Sequence, residues 1–321
     1  MISRRLLRIK ALLALYAFNR REDDNLSLAE KELMLSIEKT YELYHYILLL
    51  ILEIAEVAAE KIDLALQKRM PTPEDLNPKR RFVDNMVIDQ IRKNEAFNKY
   101  LNSKKLSWVN YSHVPRILYN QMLSWDKYND YMSSPEHSYA ADRKFVLALV
   151  NEFFPASEDL GNNLEEQSIY WNDDYEYVIP MIEKTLKKFK PESGEKVPMM
   201  PLFKNDEDRD FVKTLFRKAV VNSKMYSDLI DRNTTNWEVE RIALMDILVM
   251  QLAITEVIEF PEIPVKVTLN EYIEIAKNYC TPKSSTFVNG ILDNIIKELR
   301  RDGKFVKRGR GLVGEPTGTP E

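Results

Sequence analysis

The chain has 321 residues, of which 45% are hydrophobic and 30% charged, so it can bury a sizeable core and does not have the composition of a disordered chain. Only eight residues are glycine, and five of them follow position 302, which argues against the glycine-rich loops of nucleotide-binding folds and against tight β-hairpins. The formal net charge of −4 provides no general attraction to nucleic acid, so any RNA binding must come from a local basic patch.

Apolar residues recur at helical spacing along nearly the whole chain, which predicts an all-α fold. The first predicted helix, residues 2–19, has an apolar stripe at alternating steps of four and three, and the second pattern covers residues 28–69. Prolines in residues 70–78 mark a break. Further helical stretches follow at residues 79–101, 113–132, 139–154, 160–171 and 174–189.

The last third of the chain has the strongest helical patterns. Residues 206–231 and 236–258 are both predicted helices, and the second is apolar on almost every side, which is typical of a central helix in a bundle. Thr268 and Glu271 have the spacing of a capping box, which predicts that the next helix begins there. Residues 284–286 can cap the final helix. Beyond residue 302 the composition predicts a disordered basic tail.

The first 21 residues contain six basic side chains and no acidic one. On a helix, Arg4, Arg5 and Arg8 fall within a wedge of roughly 100° beside the apolar stripe. Three guanidinium groups could therefore converge on one site, where they would bind phosphate and stack on bases. The same pattern also fits a solvated basic face or arginines paired with distant acids, and this segment alone leaves both interpretations open.

A second candidate site is the polar loop between the last two predicted helices. Lys283 and Ser284 supply amine and hydroxyl donors beside the aromatic ring of Phe287. The free N–H groups of a helix N-terminus favour phosphate at such a place. Taken alone, these residues fit a capped helix hairpin with Phe287 in the core better than they fit a binding site.

Motifs at both ends of the chain resemble one family, the transcription antitermination factors called NusB. The resemblance rests on the following residues: Arg4-Arg5-x-x-Arg8 with Ala14-Leu15-Tyr16 at the start, and Asn270-Glu271 followed by Phe287-Val288-Asn289-Gly290-x-Leu292-Asp293 near the end. It covers residues 1–20 and roughly 205–300.

The resemblance implies a NusB-like helical bundle that binds boxA-type single-stranded RNA together with the small-subunit ribosomal protein NusE. Such a pair joins the RNA polymerase antitermination complex and promotes transcription of ribosomal RNA. The family's RNA contacts map onto the following residues: Arg4, Arg5, Arg8, Lys283, Ser284 and Phe287. Asp246 maps onto its partner-protein surface.

The implied organisation has four parts. Residues 1–25 form the arginine-rich first helix, residues 26–138 a helical insertion of unknown role, and residues 139–302 the remainder of the bundle. Residues 303–321 form the tail. The sequence departs from the family at Leu6, where a third adjacent arginine is often found, at Gln251 and at Cys280, which replace a usual arginine and glycine.

Two other classes of function compete with this interpretation. The aromatic-rich stretch from Trp108 to Tyr131 would suit a helical protein–protein adaptor without RNA binding, although such residues are also ordinary core residues. NusB-like domains also occur fused to RNA methyltransferases, but the scarcity of glycine and strand patterns argues against an enzyme. One cysteine and three scattered histidines predict no metal site and no cofactor, and they suit a reducing cytoplasm.

Overall fold

The computed structural model describes residues 1–22, 24–234 and 242–314, and its fold is all-α, as the sequence predicts. The described residues form fifteen α-helices: α1 (Arg4–Asn19), α2 (Leu26–Leu66), α3 (Pro73–Leu76), α4 (Met86–Lys93), α5 (Glu95–Lys104), α6 (His113–Met122), α7 (Asp126–Ser133), α8 (Tyr139–Ala148), α9 (Glu158–Gln167), α10 (Tyr175–Lys188), α11 (Asp206–Val221), α12 (Ser223–Thr234), α13 (Leu244–Glu259), α14 (Val265–Tyr279) and α15 (Ser284–Arg301). A π-helical turn, Leu149–Phe153, follows α8, and three short 3₁₀ segments lie at Val109–Tyr111, Pro191–Lys196 and Gly309–Leu312. Within the described ranges, no helix combines the length and apolar character that crossing a bilayer requires.

The chain divides into two compact units. The first comprises Met1–Ile2 and Glu38–Leu202, and the second comprises Ser3–Ile37 and Phe203–Glu321. The second unit contains α1 and α11–α15, which include the motifs found at the two ends of the sequence. The predicted insertion, residues 26–138, lies mostly in the first unit, which also includes residues 139–202.

Helix α13 forms the centre of the second unit and contacts α1, α11, α12, α14 and α15. Every residue from Leu248 to Val257 is buried, because the helix is surrounded by neighbours on all sides. This confirms the central position predicted from its apolar character. Residues 236–241, the beginning of the predicted helix 236–258, lie outside the described residues.

The predicted start of α14 is wrong. The helix begins at Val265, directly after Pro264 in extended conformation, so Thr268 lies inside the helix and not at its cap. Its side chain is buried and donates a hydrogen bond to Glu256 Oε1 at 2.8 Å. A threonine that satisfies a buried carboxylate has the same sequence spacing as a capping threonine, which explains the error.

The prediction of a disordered tail is also wrong for residues 304–312. Phe305 packs against a buried cluster of Val257, Val265 and Ile296. The Lys307 ammonium is buried and donates to backbone carbonyls, and a 3₁₀ turn follows. Apolar packing and backbone hydrogen bonds therefore offset the entropy of ordering this glycine-rich segment. Residues 315–321 lie outside the described residues.

The first unit buries four of the six aromatic residues in the stretch that suggests an adaptor: Trp108, Tyr119, Tyr128 and Tyr131. Trp108 is fully buried, stacks on Tyr46 with ring centroids 4.0 Å apart, and donates its indole N–H to the Tyr46 carbonyl. Trp125 is half-buried and lies 5.1 Å from the ring of Phe153. Trp108 is thus a core residue, which weakens the stretch as an argument for a docking surface.

Candidate nucleic-acid interface

Arg8 lies inside the second unit and does not join Arg4 and Arg5 at the surface. Its guanidinium makes two hydrogen bonds with Glu256 of α13, at 2.7 and 2.8 Å, and the two side chains are 4% and 0% exposed. Although burial opposes the charge, the contacts with Glu256 keep the pKa of Arg8 above its ordinary value. The predicted convergence of three arginines on one exposed site is therefore wrong at Arg8, because a buried carboxylate draws its side chain inward.

Glu256 is the acceptor at the centre of this buried network. It receives hydrogen bonds from the guanidinium of Arg8, from the hydroxyl of Thr268 at 2.8 Å and from the hydroxyl of Tyr272 at 3.2 Å. Burial and the neighbouring carboxylate raise the pKa of Tyr272 well above its usual value, so the phenol remains a donor. The network fixes α1 and α14 on α13 at the base of the exposed arginines.

Glu271 of α14 connects the buried network to the surface. It accepts two hydrogen bonds from Arg5, both 2.9 Å long, and lies 3.6 Å from the guanidinium of Arg8. Partial burial raises the pKa of Glu271, but the hydrogen bonds with Arg5 and the charge of Arg8 outweigh it and hold the pKa below its ordinary value. Arg5 remains 46% exposed, so an anion can still approach it.

Arg4 is placed by α11 in a similar manner. It donates to Asp208 at 2.8 Å, and its guanidinium carbon lies 5.1 Å from the ring centroid of Phe211. The side chain is 40% exposed, whereas that of Asp208 is 8% exposed. The carboxylate and the ring hold the guanidinium in one place, with part of it facing solvent.

The loop before α15 presents Lys283 to solvent and holds Ser284 beneath it. Ser284 is 3% exposed and donates to Asp246 Oδ2 at 3.0 Å, while its hydroxyl also lies 2.8 Å from that of Thr281. Phe287 is half-buried on the first turn of α15. The loop thus offers one exposed cation and one partly exposed ring at a helix N-terminus.

Asp246 is 6% exposed, and Ser284 anchors one of its oxygens. Its other oxygen, Oδ1, is buried and has no hydrogen-bond partner among the described residues. Burial, together with the hydrogen bond and charge of Asp246, raises the pKa of the Cys280 thiol far above its usual range. Asp246 therefore supports the loop from below, whatever further surface it contributes to.

Gln251, the other departure on α13, is buried and structural. Its amide donates to the backbone carbonyl and hydroxyl of Ser223 and to the hydroxyl of Ser227, at 3.0–3.3 Å. The residue fastens α12 to α13 and has no exposed surface with which to contact a ligand.

The structure brings together the exposed Arg4 and Arg5 at the start of α1, whereas Lys283 and Phe287 lie beyond the far end of α14. From Glu271 to Tyr279 the helix rises by about 12 Å. The sequence did not reveal that Asp208, Glu256 and Glu271 are the acidic partners of these arginines. Only Glu256 left a signal, as a charged residue in an apolar helix. No group of acidic, histidine or cysteine side chains suited to a metal ion occurs in the described ranges.

The part of the chain that matches the family model covers the end of the first unit and, in the second unit, α11 to α14 and most of α15. The model of the NusB family matches residues 183–297. Similar curated proteins are named transcription antitermination protein NusB. The one from Salinibacter ruber is 42% identical over 118 residues, which cover 37% of this chain and 74% of that protein. The protein from Chloroherpeton thalassium is 42% identical over 34% of this chain and 51% of its own length. The protein from Natranaerobius thermophilus is 31% identical over 30% of this chain and 70% of its own length.

Among solved structures, the chain is similar to T. maritima NusB at 28% sequence identity, with a TM-score of 0.28. The match covers 49% of this chain and 91% of that one.

Proposed function

Because the chain belongs to the NusB family, we propose that it is a transcription antitermination factor, as its curated relatives are named. In this proposal it binds boxA-type single-stranded RNA together with the ribosomal protein NusE. The pair joins the RNA polymerase antitermination complex and promotes transcription of ribosomal RNA.

The observation that carries the RNA-binding proposal is the pair of arginines at the start of α1. Arg4 and Arg5 are each fixed by a carboxylate yet remain 40% and 46% exposed. Guanidinium groups held in this way lose little conformational freedom when phosphate binds. They also lie at a helix N-terminus, where the backbone dipole favours an anion.

Lys283 and Phe287 provide the second contact, at the start of α15. The exposed ammonium pairs with phosphate, and the half-buried ring offers a face for stacking a base. Arg8 and Ser284, which the resemblance implies as RNA contacts, are buried and support the surface residues. Arg8 lies beside Glu271, the partner of Arg5, and Ser284 anchors the Lys283 loop to Asp246. Asp246 is the proposed edge of the surface for the partner protein.

The arrangement suits recognition without catalysis. The one cysteine, Cys280, has a raised pKa and is a thiol at neutral pH, which is the unreactive form. The carboxylates at the interface are all engaged by arginine, serine or threonine donors. Their contacts hold the arginines and the loop in place.

Fluorescence anisotropy with a boxA-type RNA, with and without NusE, tests the proposal. The informative variant is R4A/R5A/K283A, which leaves the buried Arg8 intact. A matched control, R69A/K79A/K99A, removes three exposed cations from the first unit. We expect the first variant to lose binding and the control to retain it. The logarithm of affinity should fall with the logarithm of salt at a slope of about −2 from these three cations.

Two results would contradict the proposal. Equal losses in both triple variants would mean that only general charge matters. Binding of NusE without any RNA binding by the wild type would leave the protein–protein adaptor as the function of this NusB-like frame.

A further inference from the structure

The segment 304–312 is docked on the turn between α13 and α14 by specific contacts. Lys307 is 6% exposed and donates to the carbonyl oxygens of Val257 at 2.9 Å and Phe260 at 3.0 Å. These carbonyls end α13, where the helix dipole is negative and carbonyl groups lack helical partners. The backbone N–H of Arg308 donates to the carbonyl of Pro261 at 3.0 Å. The tail is thus held on one path across this turn.

Two glycines make this close approach possible. A Cβ atom on Gly311 would lie 1.9 Å from the carbonyl oxygen of Pro261, a distance that no side chain can adopt without moving the backbone. Gly309 has a φ of 53°, in the left-handed region, and a Cβ there would lie 2.4 Å from a carboxylate oxygen of Glu262. The alternation of arginine and glycine from 308 to 311 therefore fits a docked conformation.

The docked path leaves two arginine side chains facing solvent. Arg308 and Arg310 are exposed, and neither guanidinium forms an ion pair or hydrogen bond with another described residue. Arg4 and Arg5 differ, because each is already bound to a carboxylate. Phosphate can therefore bind the tail arginines without breaking an ion pair with another described residue. The carboxylate of the exposed Glu262 lies beside Gly309, between the two arginines in sequence.

The tail lies next to the aromatic pair that supports Arg4. Phe260, whose carbonyl holds Lys307, lies 4.9 Å from Phe211 between ring centroids, and Arg4 covers the ring of Phe211. The tail thus contacts the backbone of Phe260, and Arg4 contacts the ring of Phe211, its aromatic neighbour. Phe211 and Phe260 therefore connect the anchored part of the tail to the start of α1.

We propose that the docked tail is a second phosphate-binding surface for single-stranded RNA, with Arg308 and Arg310 as its contacts. The proposal rests on the RNA-binding function proposed above and extends its site beyond residue 297, where the match to the family model ends. Arginines separated by glycine suit such a surface, because the guanidinium both pairs with phosphate and stacks on bases.

The test compares R308A/R310A with the charge-matched R69A/K79A in the full chain, using a single-stranded boxA-type RNA long enough to pass the α1 site. We expect R308A/R310A to weaken binding about tenfold at 0.15 M salt and to make the salt slope less steep by about 1.4. The control should match the wild type. A wild-type slope for R308A/R310A would overturn the proposal, and if R4A/R5A/K283A still lost binding, the proposed function itself would stand.

The variant G311A tests whether docking matters. It keeps both arginines but prevents the approach to Pro261, so trypsin should cleave after Arg308 and Arg310 faster than in the wild type. We expect its RNA affinity to fall toward that of R308A/R310A. If cleavage accelerates while affinity stays at the wild-type level, the arginines act from an undocked tail, and the docked surface is refuted.

Discussion

Arg8 of α1 and Glu256 of α13 form a bidentate ion pair that is almost wholly removed from solvent, with N–O distances of 2.7 and 2.8 Å. Thr268 and Tyr272 satisfy the remaining acceptor capacity of the carboxylate. Removing such a pair from water costs nearly as much free energy as the pair gains, so the intact pair adds little to stability. Removing one partner, however, leaves the other charge buried and unpaired, which is strongly destabilising.

We expect E256A and R8A each to destabilise the second unit by about 3–5 kcal/mol, because each leaves an uncompensated buried charge. Chemical denaturation followed by circular dichroism measures this loss. The exposed pair of Arg5 and Glu271 supplies the control: R5A should cost less than about 1 kcal/mol. If R8A were as mild as R5A, Arg8 would not anchor α1 to α13 in the second unit.

The sequence predicted the helical class and the central place of α13 because hydrophobic periodicity is a local property. It did not predict that the Arg8 side chain points into the core, because that orientation depends on an ion pair with Glu256, which is 248 residues away in the chain. Helical spacing correctly grouped the three arginines around one face of α1. It could not show that the edge of that face is covered by α13 and α14.

The tail illustrates a different limit of sequence analysis. Its composition, rich in glycine and basic residues, is typical of disorder, and its anchoring residues are few. Phe305 and Lys307 find their partners on α13 and the helices beside it, so the docking signal lies in the tertiary structure. Thr268 shows the opposite error: its local sequence has the spacing of a helix cap, but in the structure the residue lies inside α14 and its hydroxyl donates to the buried carboxylate of Glu256.

The substitution E271Q should strengthen RNA binding, because the amide oxygen still accepts a hydrogen bond that holds Arg5 in place while the competing negative charge is removed. The carboxylate of Glu271 competes with phosphate for Arg5, and an exposed ion pair of this kind contributes about 0.2–1 kcal/mol. Its loss should raise RNA affinity by roughly 1.5- to 5-fold in anisotropy titrations at constant salt. The control E274Q removes the same charge from the same helix, where Glu274 pairs with Lys277. An equal gain in both variants would indicate a general charge effect and count against competition at Arg5.

The substitution S284A should destabilise the second unit by about 1–3 kcal/mol, because Asp246 loses the hydroxyl that donates to its Oδ2. Urea denaturation measures the change, and S285A on the adjacent, half-buried position is the control. Adding D246N to S284A should recover part of the loss, since a neutral amide costs less to bury than a carboxylate. Full stability in S284A would show that Asp246 does not depend on Ser284.

A binding measurement separates the two roles of Asp246. As the proposed edge of the partner surface, D246N should lower affinity for the partner protein even at temperatures where the variant is fully folded. S284A, which retains the carboxylate, should bind the partner nearly as well as the wild type. If both variants bind the partner normally, Asp246 is a support for the loop alone.

His45 makes the stability of the first unit depend on pH. Its ring is 1% exposed and stacked on Tyr100 with centroids 3.7 Å apart, and its Nδ1 donates to the Tyr41 carbonyl at 2.9 Å. Burial, only partly opposed by this hydrogen bond, lowers the pKa of His45 to about 4 from 6.5. The neutral ring is therefore the form that the fold accepts.

As pH falls below about 6.5, the unfolded chain takes up a proton at His45 that the folded chain refuses, so folding stability decreases until the pH reaches about 4. Above pH 6.5 the contribution is fully present. Between pH 7.5 and 5.0 we expect a loss of about 2 kcal/mol from this residue, measured as the difference between wild type and H45F in urea denaturation at both pH values. Carboxylates titrate equally in the two proteins and cancel in that difference. H137Q, at an exposed histidine, should retain the wild-type pH dependence, and an H45F variant that did so too would rule out His45 as the cause.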